Sequence, residues 1–115
     1  MHQTNFRYSD YSIEQLREMV GKLKEQLMKA EQQGNVSEFQ IIERKMQVAL
    51  AYMLNPEDFK SGEMYEMNGD PGHRFIIDYI DGVFAWGKRI NLLDEVYEKQ
   101  EAIPISVLGD KIEGK

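Results

Sequence analysis

The run Phe75-Ile-Ile-Asp-Tyr-Ile-Asp-Gly-Val-Phe-Ala-Trp-Gly87 constrains the fold of this chain more than any other stretch. Two β-prone segments flank Asp81-Gly82, a dipeptide that favours a two-residue hairpin turn with positive φ. With the turn on those residues, Ile80 opposes Val83, Tyr79 opposes Phe84, Ile77 opposes Trp86 and Phe75 opposes Lys88. Directly opposed residues share a face of the sheet. The register therefore predicts one aromatic-rich face of Phe75, Ile77, Tyr79, Phe84 and Trp86. Such a face has to be covered or closed, so the second half of the chain is expected to hold a small all-β unit.

The first half reads as helical. Ser12-Ile-Glu-Gln15 has the capping-box pattern, with Tyr11 and Leu16 at the positions of a hydrophobic staple. Ile13, Leu16, Val20, Leu23, Leu27 and Ala30 alternate three and four apart in one narrow stripe, and Gly34 supplies the stop. Ser37-Glu-Phe-Gln40 reads as a second capping box. Phe39, Ile42, Met46, Ala49 and Met53 form its stripe, while Ile41, Val48 and Tyr52 add a second apolar edge. Pro56 ends this helix. The short link at Gly34–Ser37 predicts antiparallel neighbours. Leu16, Val20, Leu23 and Leu27 are expected to pack on Phe39, Ile42, Met46 and Met53. Two helices alone bury little surface, so the second edge is expected to face the β unit or another subunit. Met19 and Met28 lie off the main stripe and read as semi-exposed.

Beyond the helices, Glu63–Met67 reads as a short strand and Asn68-Gly-Asp-Pro-Gly72 as a loop. Asn91–Glu101 reads as a loop or one or two helical turns. Ala102–Leu108 reads as a turn and edge strand, because Pro104 is poor in a central strand. The residues after Gly109 read as a polar tail. Pro104–Leu108 sits where small barrels place a 3₁₀ turn before their last strand. The expectation is an α+β fold: an N-terminal antiparallel α-helical hairpin (1–55) packed on a C-terminal small SH3-like β-barrel (56–115). The two are expected to behave as one cooperative unit.

Composition enters through what it removes. The chain has 115 residues and no cysteine, which excludes disulfides, thiolate metal sites and Cys nucleophiles. That usage suits a reducing compartment. No apolar run nears the ~20 residues of a membrane span, and Met1–Tyr8 is polar where a signal peptide needs an apolar core. A cytoplasmic protein with no membrane association is expected. Residues 1–54 carry seven Lys/Arg and seven Asp/Glu, whereas residues 55–115 carry seven and thirteen, so 7 − 13 = −6 falls entirely on the second half. Nucleic-acid binding needs a basic patch to neutralise phosphates, and the acidic half argues against it.

Little in the chain signals catalysis. Asn68–Gly72 matches neither of the glycine-rich phosphate motifs and reads as a structural turn. His73 has Asp70 and Asp78 nearby in sequence but lacks the ligand spacing of a metal site, so it reads as a solvated loop histidine. Glu63 and Glu66 point to opposite faces of a strand and make a poor acid–base pair. No catalytic residue, metal or cofactor is expected. The aromatic residues are different. Tyr65, Tyr79 and Trp86 are the candidate partner-binding residues, because amphipathic aromatics are enriched at binding hot spots. The competing reading is that the hairpin aromatics simply fill the barrel. Trp86 is the one most apt to break that pattern, since its bulk seldom buries fully and its ring N–H needs a partner.

Four blocks carry a family resemblance. They are Glu43-Arg-Lys45 with Ala49 and Ala51-Tyr-Met-Leu-Asn-Pro-Glu-Asp-Phe59; Gly62-Glu-Met-Tyr65; Phe75-x-Ile77-x-Tyr79-x-x-Gly82-Val-Phe-Ala-Trp-Gly87 with Arg89; and Ala102-x-Pro-Ile-Ser-x-Leu108. Together they resemble the YfhH family, small uncharacterised proteins of Bacillus-like bacteria. The resemblance implies a helical hairpin on an SH3-like barrel. It implies no established activity, so no catalytic residue is carried over. The chain departs most from the family pattern at Asn91–Glu101. The expected function is a non-enzymatic protein-interaction module whose partner is a protein or peptide. The alternative is a nucleic-acid-associated regulatory protein, and an enzyme comes last. Oligomeric state is left open.

Overall fold

The structure is a computed structural model that describes residues 8–113. The polar stretch 1–7, which includes His2, and the last two residues of the expected tail lie outside the described residues. The chain forms two compact units, Met1–Met53 and Leu54–Lys115.

In the first unit, α1 spans Ile13–Gln32 and α2 spans Val36–Ala51. The Ser12 capping box is complete. Gln15 N–H donates to Ser12 Oγ at 3.1 Å, and Ser12 N–H donates to Gln15 Oε1 at 2.9 Å. Gly34 takes φ +68°, the left-handed conformation that lets the chain leave α1. The second cap is not Ser37. Asn35 caps α2 by accepting the Glu38 N–H at 3.1 Å, two residues ahead of the expected start. An asparagine beside the stop glycine can end one helix and open the next, which leaves Ser37 inside the helix. Leu23, Ala30 and Ile42 form the buried seam, with Met19, Leu27, Phe39 and Met46 packed against it. Met19 therefore belongs to the packing, where the stripe count had left it outside. Ile41, on the second apolar edge, is 58% exposed. Among the described residues no helix is long and apolar enough to cross a membrane.

The second unit is a five-stranded antiparallel sheet of β1 (Met64–Met67), β2 (Asp70–Asp81), β3 (Phe84–Asn91), β4 (Val96–Pro104) and β5 (Leu108–Ile112). The strand order is β4-β3-β2-β1-β5. β4 and β5 are the two ends of that order and do not pair, so the sheet is open where a closed barrel was expected. A 3₁₀ turn over Ile105–Val107 joins them, at the place the sequence suggested. Pro104 has no N–H with which to continue a ladder. The sheet nevertheless curls. Pro104 and Leu108 are four steps apart along the chain, a reach of at most about 14 Å at ~3.6 Å per step. The turn is held to both neighbouring hairpins: Ile105 N–H donates to Val83 O at 2.9 Å and Asn68 N–H donates to Val107 O at 2.8 Å.

Three further expectations change. Asn68–Gly72 is mostly strand, since β2 already begins at Asp70. Asn91–Glu101 is a tight turn followed by the first part of β4, with no helix. There Asn91 Oδ1 accepts the N–H groups of Leu93 and Glu95, which makes it a turn residue and not a helix cap. The supposed tail begins with β5.

The hairpin register also differs. The last β2–β3 pair is Asp81↔Phe84, so the two turn residues are Gly82 and Val83. Gly82 has φ +62° and is the only positive-φ residue of the turn, the arrangement with glycine at the first central position. This one-residue shift buries Val83, 5% exposed, on the same face as Ala85 and Gly87. A β-bulge at Asp78 then lies between the pairs Ile77↔Gly87 and Tyr79↔Trp86. A bulge adds one residue to one strand and reverses its alternation. Phe75 and Ile77 are therefore buried, whereas Tyr79 and Trp86 stand on the opposite face.

Candidate functional site

The expected trio of Tyr65, Tyr79 and Trp86 is divided by the sheet. Tyr79 and Trp86 are cross-strand partners whose rings stack, with centroids 5.9 Å apart and planes 4° from parallel. Tyr79 remains 45% exposed and Trp86 is partly buried. Offset stacking between opposed aromatics stabilises a strand pair while leaving ring surface open to a ligand.

Two carboxylates share that face. Asp81 is exposed and opposes Phe84 at the hairpin end. Asp78 sits at the bulge, where Gln100 Nε2 donates to its Oδ2 at 2.9 Å. Gln100 opposes Lys88 and Ala102 opposes Trp86, which brings the Asp78 carboxylate onto the Trp86 side. The bulge itself is tied down by Ser61, whose hydroxyl donates to the Asp78 carbonyl at 2.6 Å. A depression of about 280 Å³ lies beside the bulge, lined by Ile76, Asp78, Lys88 and Val96 with Ile77 and Gly87, the chain neighbours of the bulge and of Trp86. The sequence reading assigns Asp81 to the turn and sets Asp78 near His73, and gives neither a place beside the aromatic pair. The signal that locates them is Gly87, because a glycine inside a strand marks close backbone approach and so fixes which face is inner.

Tyr65 lies on the other face. It pairs with Phe75, is 5% exposed, and packs against Phe59 with centroids 5.4 Å apart. Its hydroxyl donates to Glu63 Oε1 at 2.8 Å. Burial first, and then the Glu63 charge, push the phenol up to about 12. The same Glu63 is held down at about 2 by Lys111 Nζ at 2.9 Å, the Lys60 N–H and the Tyr65 hydroxyl. Tyr65 is a core residue with an anchored hydroxyl and no part of the exposed aromatic surface. A titration follows. The folded phenol holds its proton more tightly than the unfolded one, whose pKa is about 10. The stability it contributes is complete below pH 10 and is lost as pH rises through about 12. Thermal melts across that range should therefore fall less for Tyr65→Phe than for the wild type.

A second polar cluster ties β2, β3 and β4 together. His73 Nδ1 bonds Asp70 at 2.9 Å, and Nε2 lies 2.8 Å from the Tyr97 hydroxyl. Because a carboxylate only accepts, Nδ1 carries the proton; in the neutral ring Nε2 then accepts from Tyr97. Arg89 spans Asp70 at 2.6 Å and Glu101 at 2.7 Å. The His73 bond, with the charges of His73 and Arg89, holds the Asp70 carboxyl below its usual range. His73 is thus a strand residue with two partners, where the sequence suggested a solvated loop position. Asp78 has no part in the cluster. Each ion in it is already satisfied by the sheet, so the arrangement serves as a cross-strand tie. Among the described residues no group of three or more His, Asp or Glu is placed to hold a metal ion.

Comparison with known proteins gives the chain its relatives. A family model described as "Protein of unknown function (DUF1811)" matches residues 6–109. A protein of Bacillus subtilis (strain 168) named "Uncharacterized protein YfhH" is 42% identical over 105 residues, 91% of this chain and 96% of the relative. The match runs through both helices, β1 to β4 and the blocks around Asn55-Pro56 and Trp86 that carried the resemblance. The chain therefore belongs to the DUF1811 family, the family of YfhH, whose function is not known.

Proposed function

We propose that the protein is a non-enzymatic interaction module of the cytoplasm that binds a peptide or protein segment on the outer face of its sheet. The observation that carries this reading is the stacked Tyr79–Trp86 pair, two large amphipathic rings on one hairpin, with Tyr79 exposed and Trp86 partly buried. Rings of this type are enriched at binding hot spots, and their presentation on strands limits the ordering cost of association. The reading includes an SH3-like character for the sheet. The order β4-β3-β2-β1-β5, the curl forced by the short Pro104–Leu108 link, and the 3₁₀ turn before β5 support it. Fold-level likeness argues for binding only by analogy, so the site carries the weight.

The test uses the sole tryptophan as reporter. Acrylamide should quench Trp86 efficiently in the native chain. Peptides selected from a random displayed library on the intact protein should shift its emission, and Tyr79→Ser should weaken them. Selected peptides that leave Trp86 emission unchanged would place the binding face elsewhere.

A further inference from the structure

We infer that the outer face takes an extended segment carrying an arginine side chain, seated on the Tyr79–Trp86 stack and paired with Asp81 and Asp78. This rests on the interaction reading above and names the ligand chemistry for the same site. Three features of the face select it. The stack presents aromatic surface at its exposed Tyr79 side, and a planar cation is attracted to such faces. Two carboxylates flank the stack on the same side of the sheet. The exposed Asp81 stands at the turn, and Asp78 has one oxygen engaged by Gln100. The whole net charge of −6 belongs to this half of the chain, which draws a basic segment toward it and repels an acidic one.

The geometry favours arginine over lysine. Ring planes 4° from parallel continue naturally into a flat guanidinium laid on the exposed face, with its edge left free to bond a carboxylate. With centroids only 5.9 Å apart, the rings leave no slot for a cation between them, so it lies on the outside of the pair. The depression beside the bulge gives the segment a direction. Ile76 and Val96 offer apolar surface there, while Lys88 repels a second cation. The occupant is therefore basic at the Asp81 end and apolar at the Val96 end.

The experiment titrates the full chain with end-blocked peptides of alternating arginine and leucine, following Trp86 fluorescence and its indole N–H in NMR spectra. Parallel peptides replace arginine by citrulline, its neutral isostere, or by glutamate. The arginine peptide should bind saturably, with the citrulline peptide at least tenfold weaker and the glutamate peptide silent. Asp81→Asn should weaken the arginine peptide several-fold, and Tyr79→Leu should remove its effect on Trp86. Both substituted residues are on the surface, and a cooperative melt with native circular dichroism verifies that each variant folds. Equal binding of arginine and citrulline peptides at the stack would overturn the cation assignment and leave the interaction module standing. Binding that survives Tyr79→Leu unchanged, or no response of Trp86 to any peptide, would overturn both.

Discussion

Gly87→Ala should abolish the native sheet. A Cβ at Gly87 would lie 1.9 Å from the Ile76 carbonyl oxygen and 2.9 Å from both its carbon and Phe75 Cε2. Two of those atoms are backbone of the paired strand β2, so no side-chain rotation relieves the overlap. The strands would have to separate at the Ile77↔Gly87 pair, beside the bulge that orients Tyr79 and Trp86. The loss should exceed about 4 kcal/mol, the range reserved for overpacking and broken networks. Urea unfolding followed by Trp86 fluorescence measures it directly. Gly21→Ala is the matched control. Gly21 lies within α1 with nothing within 4 Å of its added Cβ, so alanine there should stabilise by about 0.5–1 kcal/mol. A Gly87→Ala chain with a wild-type midpoint would show that β2 and β3 do not approach as described.

The contrast between the two glycines explains what the sequence carried and what it hid. Local chemistry was legible. The Ser12-x-x-Gln15 box, the Gly34 stop, the strand after Glu63 and the 3₁₀ turn after Pro104 each depend on a few adjacent residues, and each formed where its residues pointed. The register was not legible, because Asp81-Gly82 and Gly82-Val83 both suit a tight turn. The choice between them lies in burial of Val83 and in the close approach at Gly87, which are properties of the assembled sheet. The bulge at Asp78 is equally non-local, since its carbonyl is held by Ser61 and its side chain by Gln100, far away in sequence. Strict alternation over Phe75, Ile77 and Tyr79 thus gave the right aromatic residues and the wrong shared face. The cluster of Asp70, His73, Arg89, Tyr97 and Glu101 was hidden for the same reason: its members come from three strands and meet only after pairing.

Paired truncations on β2 test that reversal of faces and the availability of the binding surface together. Phe75 is 0% exposed, and its ring covers Gly87. Phe75→Ala should cost about 3–5 kcal/mol, the transfer free energy of the ring plus the cavity it leaves. Tyr79 stands four residues on, at a spacing that places both rings on one face in an unbroken strand. With the bulge in place, Tyr79 is exposed and loses only its stacking on Trp86. Tyr79→Ala should therefore cost no more than about 1.5 kcal/mol, the upper range for an aromatic pair. Both values come from urea unfolding of otherwise identical chains, with circular dichroism as the signal because Tyr79 touches the fluorescent reporter. Equal costs near 4 kcal/mol would mean that Tyr79 is as buried as Phe75. No partner could then reach the stack without unfolding the hairpin. The predicted inequality keeps the sheet's stability on one face and leaves the other face free to bind.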